Sequence, residues 1–321
     1  MILHPYTEIP ITSFHKVRDN ALWLRDFLSK QKQPEIQIEK GSDLELALSI
    51  SEKFPNWAEE EKDILEELKT PEILSKAIGL SFLASILSEA ARHLSFKNAL
   101  RLLPDLTKSN PIMHEASEST QPRNAVFELE VASIFIASGL ATETFNEPDV
   151  RVHVTEEVWD IPCKMIYSKE PATLGDRVEE GINQSLKHKG DFGLVVLGIS
   201  NRIDHENFMP LFDENEDIRG SFRTPEAAYK LLGEKALMPV IDDLFIQASN
   251  PDRFLNGRQS SKFRGILVIV HTVCLIGKAP VTLSRTALIG RRDIFRDSSI
   301  YGPEEGLCKR FHETALNIFA K

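Results

Sequence analysis

The sequence predicts an α/β protein in which helices flank a mixed β-sheet, preceded by a mostly helical N-terminal region. Helical patterns dominate residues 1–115, and a polar, proline-containing linker follows at 107–123. A hairpin, a helix and an almost continuous apolar strand then lie between 148 and 200. A strand, a crossover helix and a buried strand form a right-handed parallel unit. We therefore divide the 321 residues into a helical region, 1–115, and a sheet-containing domain, 116–321.

The N-terminal region shows helix signals and no chemical motif. Ser42 is placed to cap a short helix from Asp43 to Phe54. Thr70-Pro71-Glu72 supplies a cap, a first-turn proline and an acid for a second, longer helix. A third short helix is predicted from Phe96 to Leu103. These helices are candidates for recognition, for a homodimer contact or for a protein partner.

The sheet-containing domain begins with a predicted helix from Ala125 to Ser138, which Gly139 ends. A second helix is predicted from Leu174 to Lys187, before the apolar strand from Leu194 to Ser200. The remaining predictions are an acidic loop at 201–223, a helix opened by Thr224 that Pro239 kinks or divides, strands at 263–276 and 281–289, and a closing helix at 304–319.

Two extended segments, Pro148–Val154 and Val158–Tyr167, predict a hairpin. With a loop centred on Glu156 and Glu157, Asp149 lies opposite Lys164. The same polar face then pairs Arg151 with Pro162 and His153 with Asp160, and the apolar face pairs Val150 with Cys163, Val152 with Ile161 and Val154 with Trp159. A slip by one residue would mix the two faces, which supports this register.

This stretch resembles the PD-(D/E)xK nucleases, the restriction-endonuclease-like superfamily. The matching elements are Phe127-Glu128 on a helix, Pro148-Asp149, Ile161-Pro162-Cys163-Lys164, a helix with Gln184, and the strand at Leu194. The resemblance covers about 80 residues by pattern. It implies a restriction-endonuclease-like fold and a metal-dependent nuclease that hydrolyses phosphodiester bonds, with DNA as the expected substrate.

The resemblance also implies roles for individual residues. Asp149 would bind Mg²⁺, or Mn²⁺ in its place, Lys164 would orient the attacking water, and Gln184 would belong to the catalytic set. The carbonyl of Cys163 would be a further metal ligand. The family's second acid lies two residues before the lysine, where this chain has Pro162. Asp160 is about 13 Å from Lys164 along a strand, too distant to replace it.

Glu128 stands where some members of the superfamily carry a helical glutamate, so we assign it as the replacement acid. Two alternatives remain open. Asp149 and Lys164 could form an ordinary cross-strand ion pair, which contributes little to stability. The chain could also keep the fold without catalysis, as a nucleic-acid-binding or assembly module. His271, within an apolar strand, is interpreted as a core polar residue whose hydrogen bonds are satisfied.

The formal net charge of −10 disfavours nonspecific coating of nucleic acid. Residues 251–300, however, contain nine Lys or Arg against three acids. This basic stretch is compatible with nucleic-acid contacts beside Asp149, and equally with solvated charges on several faces of the protein. The candidates are Arg258, Lys262, Arg264, Arg285, Arg291 and Arg292.

Targeting and metal signals exclude several other classes. We expect no signal peptide, because no basic region precedes a long apolar run, and no membrane span, because the apolar runs are short. The three cysteines lie far apart, which predicts a reducing cytoplasm and no disulfide framework. Close Cys or His pairs for zinc are absent from the sequence.

Overall fold

A computed structural model describes the parts of the chain considered below. They are residues 2–3, 14–31, 37–52, 79, 83–84, 86–88, 107, 121–145, 147–204, 207–208, 211–212, 218–219, 222–276, 279–296 and 302–320. The predicted helix at 96–103 and most of the predicted linker lie outside these residues. The helix predicted to begin at Thr70 is described only at scattered helical positions, where Leu83, Ile86 and Leu87 are buried.

Eight of the described strands form one mixed sheet. They are β1 (Ile2–Leu3), β2 (Ala141–Thr144), β3 (Val150–Val154), β4 (Glu157–Ile161), β5 (Cys163–Met165), β6 (Phe192–Gly198), β9 (Phe263–Ile276) and β10 (Ala279–Gly290). The strand order is β1-β10-β9-β6-β4-β3-β2, and β5 also pairs with β6. A separate small ribbon contains β7 (Leu211–Phe212) and β8 (Ile218–Arg219).

Helices cover both the N-terminal region and the sheet-containing domain. Those in the described residues are α1 (Phe14–Ser29), α2 (Asp43–Ser51), α3 (Gln121–Ala137), α4 (Pro171–Lys187), α5 (Pro225–Leu232), α6 (Met238–Ser249), α7 (Leu255–Gln259), α8 (Arg291–Phe295) and α9 (Pro303–Ala320). A short 3₁₀ turn, Ser200–Arg202, follows β6. None of the helices in these residues is long and apolar enough to cross a membrane.

The sheet lies between two helical layers. One buried cluster joins residues of α1, α2, α3 and α9 to one face of the sheet. A second cluster joins residues of α4, α5 and α6 to the other face. The N-terminal helices α1 and α2 therefore share a core with the sheet, and the fold is mixed α/β with helices on both sides.

Several helix ends form as the sequence predicts. The Ser42 hydroxyl accepts a hydrogen bond from the Glu45 amide, and the Thr224 hydroxyl accepts one from the Ala227 amide. Gly139, just beyond α3, has a φ of 81°, a conformation that favours glycine. The helix α3 nevertheless begins at Gln121, inside the predicted linker.

The helix opened by Thr224 is divided just before Pro239, as predicted, because a proline disturbs the helical turn that precedes it. The break between α5 and α6 is a π-helical turn, Gly233–Leu237, which ends before Pro239. Pro239 itself lies in the first turn of α6, where its missing amide hydrogen is tolerated. The Arg285 guanidinium packs against Gly233, where it leaves no room for a side chain.

The start of the chain contributes a strand that the sequence does not predict. Ile2 and Leu3 in β1 pair antiparallel with Leu288 and Ala287 in β10. Two apolar residues are too short a segment to show an alternating pattern, so only the pairing with β10 identifies them as a strand.

Candidate active site

The hairpin forms, but its register differs from the predicted one by two residues. Val150 pairs with Ile161 and Arg151 with Asp160, and a tight turn at Thr155 and Glu156 joins the strands. Thr155 adopts a positive φ of 55°. A shift of two residues keeps each side chain on its face, so alternation could not distinguish the two registers. The predicted pairing of Asp149 with Lys164 is therefore wrong, although the assignment of faces is correct.

Asp149 lies just before β3 and is held by β5. Its Oδ2 accepts a hydrogen bond of 2.6 Å from the Cys163 amide. The Pro162 carbonyl accepts one of 2.9 Å from the Val196 amide, so this residue stays within the ladder to β6 although it separates β4 from β5. Both short strands run parallel to β6, as predicted for the Lys164 strand.

Successive carbonyls alternate in direction along a strand. Because the Pro162 carbonyl faces β6, the Cys163 carbonyl faces the opposite edge, where the pairing of β3 with β4 has already ended at Val150. The Cys163 amide faces the same edge and contacts Asp149. The Asp149 carboxylate and the Cys163 carbonyl are thus brought together at the N-terminal end of β3.

A cavity of about 210 Å³ lies at this point. It contains Glu128, Asp149 and Lys164, which come from α3, the start of β3 and β5. The Tyr167 hydroxyl donates a 2.9 Å hydrogen bond to Asn124, and both residues belong to the cavity wall. The full lining is Asn124, Phe127, Glu128, Asp149, Cys163, Lys164, Met165, Tyr167, Arg177 and Glu180.

Lys164 projects from the sheet toward α4, where it meets a glutamate that the sequence analysis did not select. Its Nζ lies 2.9 Å from Glu180 Oε1, and Arg177 Nη1 lies 2.8 Å from Glu180 Oε2. Partial burial acts to raise the pKa of Glu180, but hydrogen bonds from Lys164 and Arg177 outweigh it and lower that pKa. The carboxylate is therefore ionised at neutral pH.

The sequence analysis missed Arg177 and Glu180. Their helical spacing from the predicted Gln184 was the signal that could have identified them. Positions three, four and seven apart lie on one side of a helix. Gln184 itself is partly buried but does not line the cavity. Among the described residues, none makes a hydrogen bond to its buried Oε1.

The Cys163 thiol is unsuited to nucleophilic chemistry. Its side chain belongs to the apolar cluster beneath α3, as the sequence predicts for this face. Burial raises the pKa of the thiol well above its ordinary value, and the nearby charges of Asp149 and Glu128 raise it further. A neutral, enclosed thiol is a poor nucleophile, so only the backbone of Cys163 contributes to the cavity chemistry.

Asp160 is part of a buried ion cluster rather than of a groove. Its Oδ1 accepts hydrogen bonds of 2.9 and 2.7 Å from Arg151. Its Oδ2 accepts one of 2.8 Å from the Gly190 amide and one of 3.2 Å from Lys262. The Asp160 side chain is fully buried. Two cations and a backbone amide therefore depend on the Asp160 carboxylate.

Lys262 therefore has a structural partner and does not line the cavity. Its Nζ also donates to the His188 carbonyl at 2.6 Å. Lys262 lies at the start of β9, level with Gly193, whereas Lys164 is paired with Leu197. These levels differ by four residues, or about 13 Å along the strands.

The predicted basic contacts do not border Asp149: none of the six residues lines its cavity. Arg258 donates to the carbonyls of Ala248 and Arg253, and Arg291 donates to those of Gly257 and Arg258. These two guanidinium groups hold together the backbone around α7. Their hydrogen-bond donors are used inside the fold.

The other three arginines also have contacts within the chain. Arg264 makes two hydrogen bonds to Glu304, of 3.0 and 2.8 Å. Arg285 donates to the Tyr229 carbonyl and lies 4.7 Å from the centre of its ring. The side chain of Arg292 is 43% exposed, and its Nε lies 3.9 Å from Asp293.

A second buried pair was only half predicted. Glu130 Oε1 lies 2.5 Å from His271 Nε2, and both side chains are almost completely excluded from solvent. The backbone amide of His271 donates to the Ser200 hydroxyl at 2.9 Å. The predicted position of His271 in the core is confirmed, and its ring lies against the Glu130 carboxylate. The sequence analysis did not select its partner Glu130. The mostly apolar sequence of residues 125–136 was the signal that this position is buried.

Comparison of the chain with protein-family models, with curated proteins and with solved structures found no match. Among the described residues, no group of three His, Cys, Asp or Glu side chains is arranged to hold a metal ion. Three carboxylates line the cavity, and Lys164 and Arg177 bind that of Glu180. The groups left for a metal site are the carboxylates of Glu128 and Asp149 and the Cys163 carbonyl.

Proposed function

We propose that this protein is a metal-dependent nuclease that hydrolyses phosphodiester bonds, with DNA as its substrate, at the cavity containing Glu128, Asp149 and Lys164. The observation that carries the proposal is the meeting of these three residues, from separate segments, in one cavity. They are three of the four residues that the resemblance to PD-(D/E)xK nucleases assigns to catalysis; the fourth, Gln184, does not line the cavity. The succession α3, β2–β5, α4 and β6 supports a restriction-endonuclease-like fold for this part of the chain.

The donor set suits a hard divalent cation. Glu128 and Asp149 offer carboxylate oxygens, and the Cys163 carbonyl offers a neutral one. Mg²⁺ commonly binds through one or two carboxylates and keeps several waters, so a third acid is unnecessary. When bound, Mg²⁺ or Mn²⁺ would supply an activated water and offset negative charge on the phosphate.

The protein groups have distinct tasks in this scheme. The hydrogen bond from Cys163 fixes the Asp149 carboxylate at the cavity. Water attacks the phosphorus atom and the ester oxygen departs, while negative charge accumulates on the phosphate. The ammonium group of Lys164 orients the water and stabilises that charge, because a fixed cation in a partly dry site acts strongly.

The test is cleavage of plasmid, linear duplex, single-stranded DNA and RNA by the purified protein with Mg²⁺ or Mn²⁺. We expect EDTA, Asp149→Asn and Lys164→Met each to remove at least ~100-fold of the activity, because each removes charge stabilisation at the phosphate. Lys189→Met, at an exposed position outside the cavity, is the matched control and should cleave like the wild type. Metal-dependent cleavage that persists in Asp149→Asn/Lys164→Met would show that another site is responsible.

A nucleic-acid-binding module without catalysis is the second candidate. Two observations favour it: Pro162 occupies the position of the family's second acid, and Lys164 is held by Glu180. This candidate predicts salt-sensitive binding of DNA or RNA with no cleavage under any metal condition. Binding weakened by Lys164→Met in a chain that never cleaves would favour it over the nuclease.

A further inference from the structure

The cavity has two walls of opposite charge. Glu128 and Asp149 form an acidic wall, which carries two formal negative charges. In the same lining, Glu180 joins Lys164 and Arg177 through its two oxygens, at 2.9 and 2.8 Å. We call these three residues the Glu180 bridge. Two cations share one carboxylate in the bridge, so it keeps one formal positive charge.

The bridge is fixed by regular structure rather than by loops. Cys163 and Met165 point into the apolar cluster beneath α3, so alternation along β5 directs Lys164 to the α4 side. Arg177 and Glu180 are three residues apart on α4 and so lie on one side of it. The bridge therefore connects a central strand to the helix that covers it.

Exposure increases along the bridge toward solvent. The Lys164 side chain is 11% exposed, that of Glu180 is 42% exposed and that of Arg177 is 51% exposed. Lys164 therefore lies at the inner end, beside the acidic wall, and Arg177 lies at the mouth. A lysine side chain has a flexible four-carbon stem, and fixing it costs conformational entropy. The ion pair with Glu180 offsets this cost.

These charges match the two parts of a metal–phosphodiester pair. The acidic wall is complementary to a divalent cation, and the bridge is complementary to a phosphodiester, which carries one negative charge. We propose that Glu180 is a positioning residue that holds Lys164 toward the scissile phosphodiester and holds Arg177 at the mouth as a contact to the same phosphate. This inference rests on the proposed nuclease function and adds two residues to its site.

The first experiment measures kcat and KM for cleavage. Glu180→Gln should lower kcat about 10-fold or more, since Lys164 loses its anchor, and should raise KM less than Arg177→Gln does, since the Arg177 guanidinium is still present. Arg177→Gln should raise KM about 10-fold with a smaller effect on kcat. Glu179→Gln is the matched control, because the adjacent residue makes the same charge change but lies near Arg253 instead.

A double variant separates positioning from an independent role. Glu180→Gln should cost almost nothing further in a Lys164→Met background, because the two residues act as a unit. Three results would overturn the inference: wild-type activity in Glu180→Gln, full additivity with Lys164→Met, or an equal loss in Glu179→Gln.

The second experiment does not need cleavage. Lysines are reductively methylated with ¹³C, and the Lys164 signal is assigned by its loss in Lys164→Arg. The chemical shift of this signal should change in Glu180→Gln and should be unchanged in Glu179→Gln. Inorganic phosphate should shift it in the wild type, and about 10-fold more phosphate should be needed in Arg177→Gln.

The two experiments distinguish the two proposals. A wild type that cleaves nothing, but whose Lys164 signal responds as described, contradicts the nuclease and leaves the bridge as a phosphate site. If the chemical shift of Lys164 changes neither in Glu180→Gln nor with phosphate, the proposed role of the bridge is overturned, whether or not the protein cleaves nucleic acid.

Discussion

Two carboxylates on one face of the hairpin, Asp149 and Asp160, have opposite surroundings. Asp160 is fully buried, and protein donors from Arg151, Lys262 and Gly190 surround its oxygens. Asp149 lies at a cavity, shares it with a second acid, Glu128, and receives one hydrogen bond from the Cys163 amide.

This difference separates a carboxylate that stabilises the fold from one that lines a cavity. The negative charge of Asp160 is balanced by two cations inside the fold, so it holds three chain segments together. Asp149 lines an open cavity together with Glu128 and Lys164, so its charge faces that cavity. This position, unlike that of Asp160, is compatible with the ligand site that we propose.

The largest expected effect is on the free energy of unfolding. The same Asp-to-Asn substitution at positions 160 and 149 tests the distinction between the two acids. Asp160→Asn should destabilise the fold by about 3–5 kcal/mol, because Arg151 and Lys262 lose their charged partner in a buried cluster. Asp149→Asn should change stability by about 1 kcal/mol, since an amide oxygen can still accept the Cys163 hydrogen bond. Urea unfolding of both variants measures the difference. Equal losses of stability would remove the contrast between the two acids.

The buried pair of Glu130 and His271 extends the comparison to an acid that lies against a histidine. His271→Leu should cost about 3–5 kcal/mol, because it leaves a carboxylate without its partner in the core. Glu130→Met/His271→Leu removes both polar groups and should stay closer to the wild type in urea unfolding. A double variant less stable than the single one would show that the pair itself stabilises the fold.

The smallest expected effect concerns Glu180, which is partly exposed. Its pKa is lowered from the ordinary value of 4.5, so its bridge is intact at neutral pH and is lost as pH falls through the lowered pKa. An NMR titration of the Glu180 carboxyl should show this shift. Arg177→Gln should bring the pKa back toward 4.5, because one of its charged partners is removed. A Glu180 pKa at or above 4.5 in the wild type would mean that the bridge does not form in solution.

The helix ends and the faces of the strands were open to prediction from sequence. Ser42 and Thr224 cap their helices as expected, because a hydroxyl beside the first turn finds its amide partners locally. The strand from Phe263 to Ile276 has its predicted bounds, since a long run of β-branched and apolar residues needs no distant information. Alternation likewise assigned Asp149 and Lys164 to the same face of the hairpin.

The positions at which segments meet were decided by the tertiary structure. Alternation repeats every two residues, so it could not exclude a register shifted by two, and the turn at Thr155 selected one. The partners of Lys164 and Asp160 lie 16 and 102 residues away, at Glu180 and Lys262. Sequence periodicity reports which face a residue occupies, whereas the packing of helices on that face determines which charge it meets. For that reason the sequence alone indicated the candidate acid and lysine, and only the folded chain revealed that a glutamate on α4 holds the lysine.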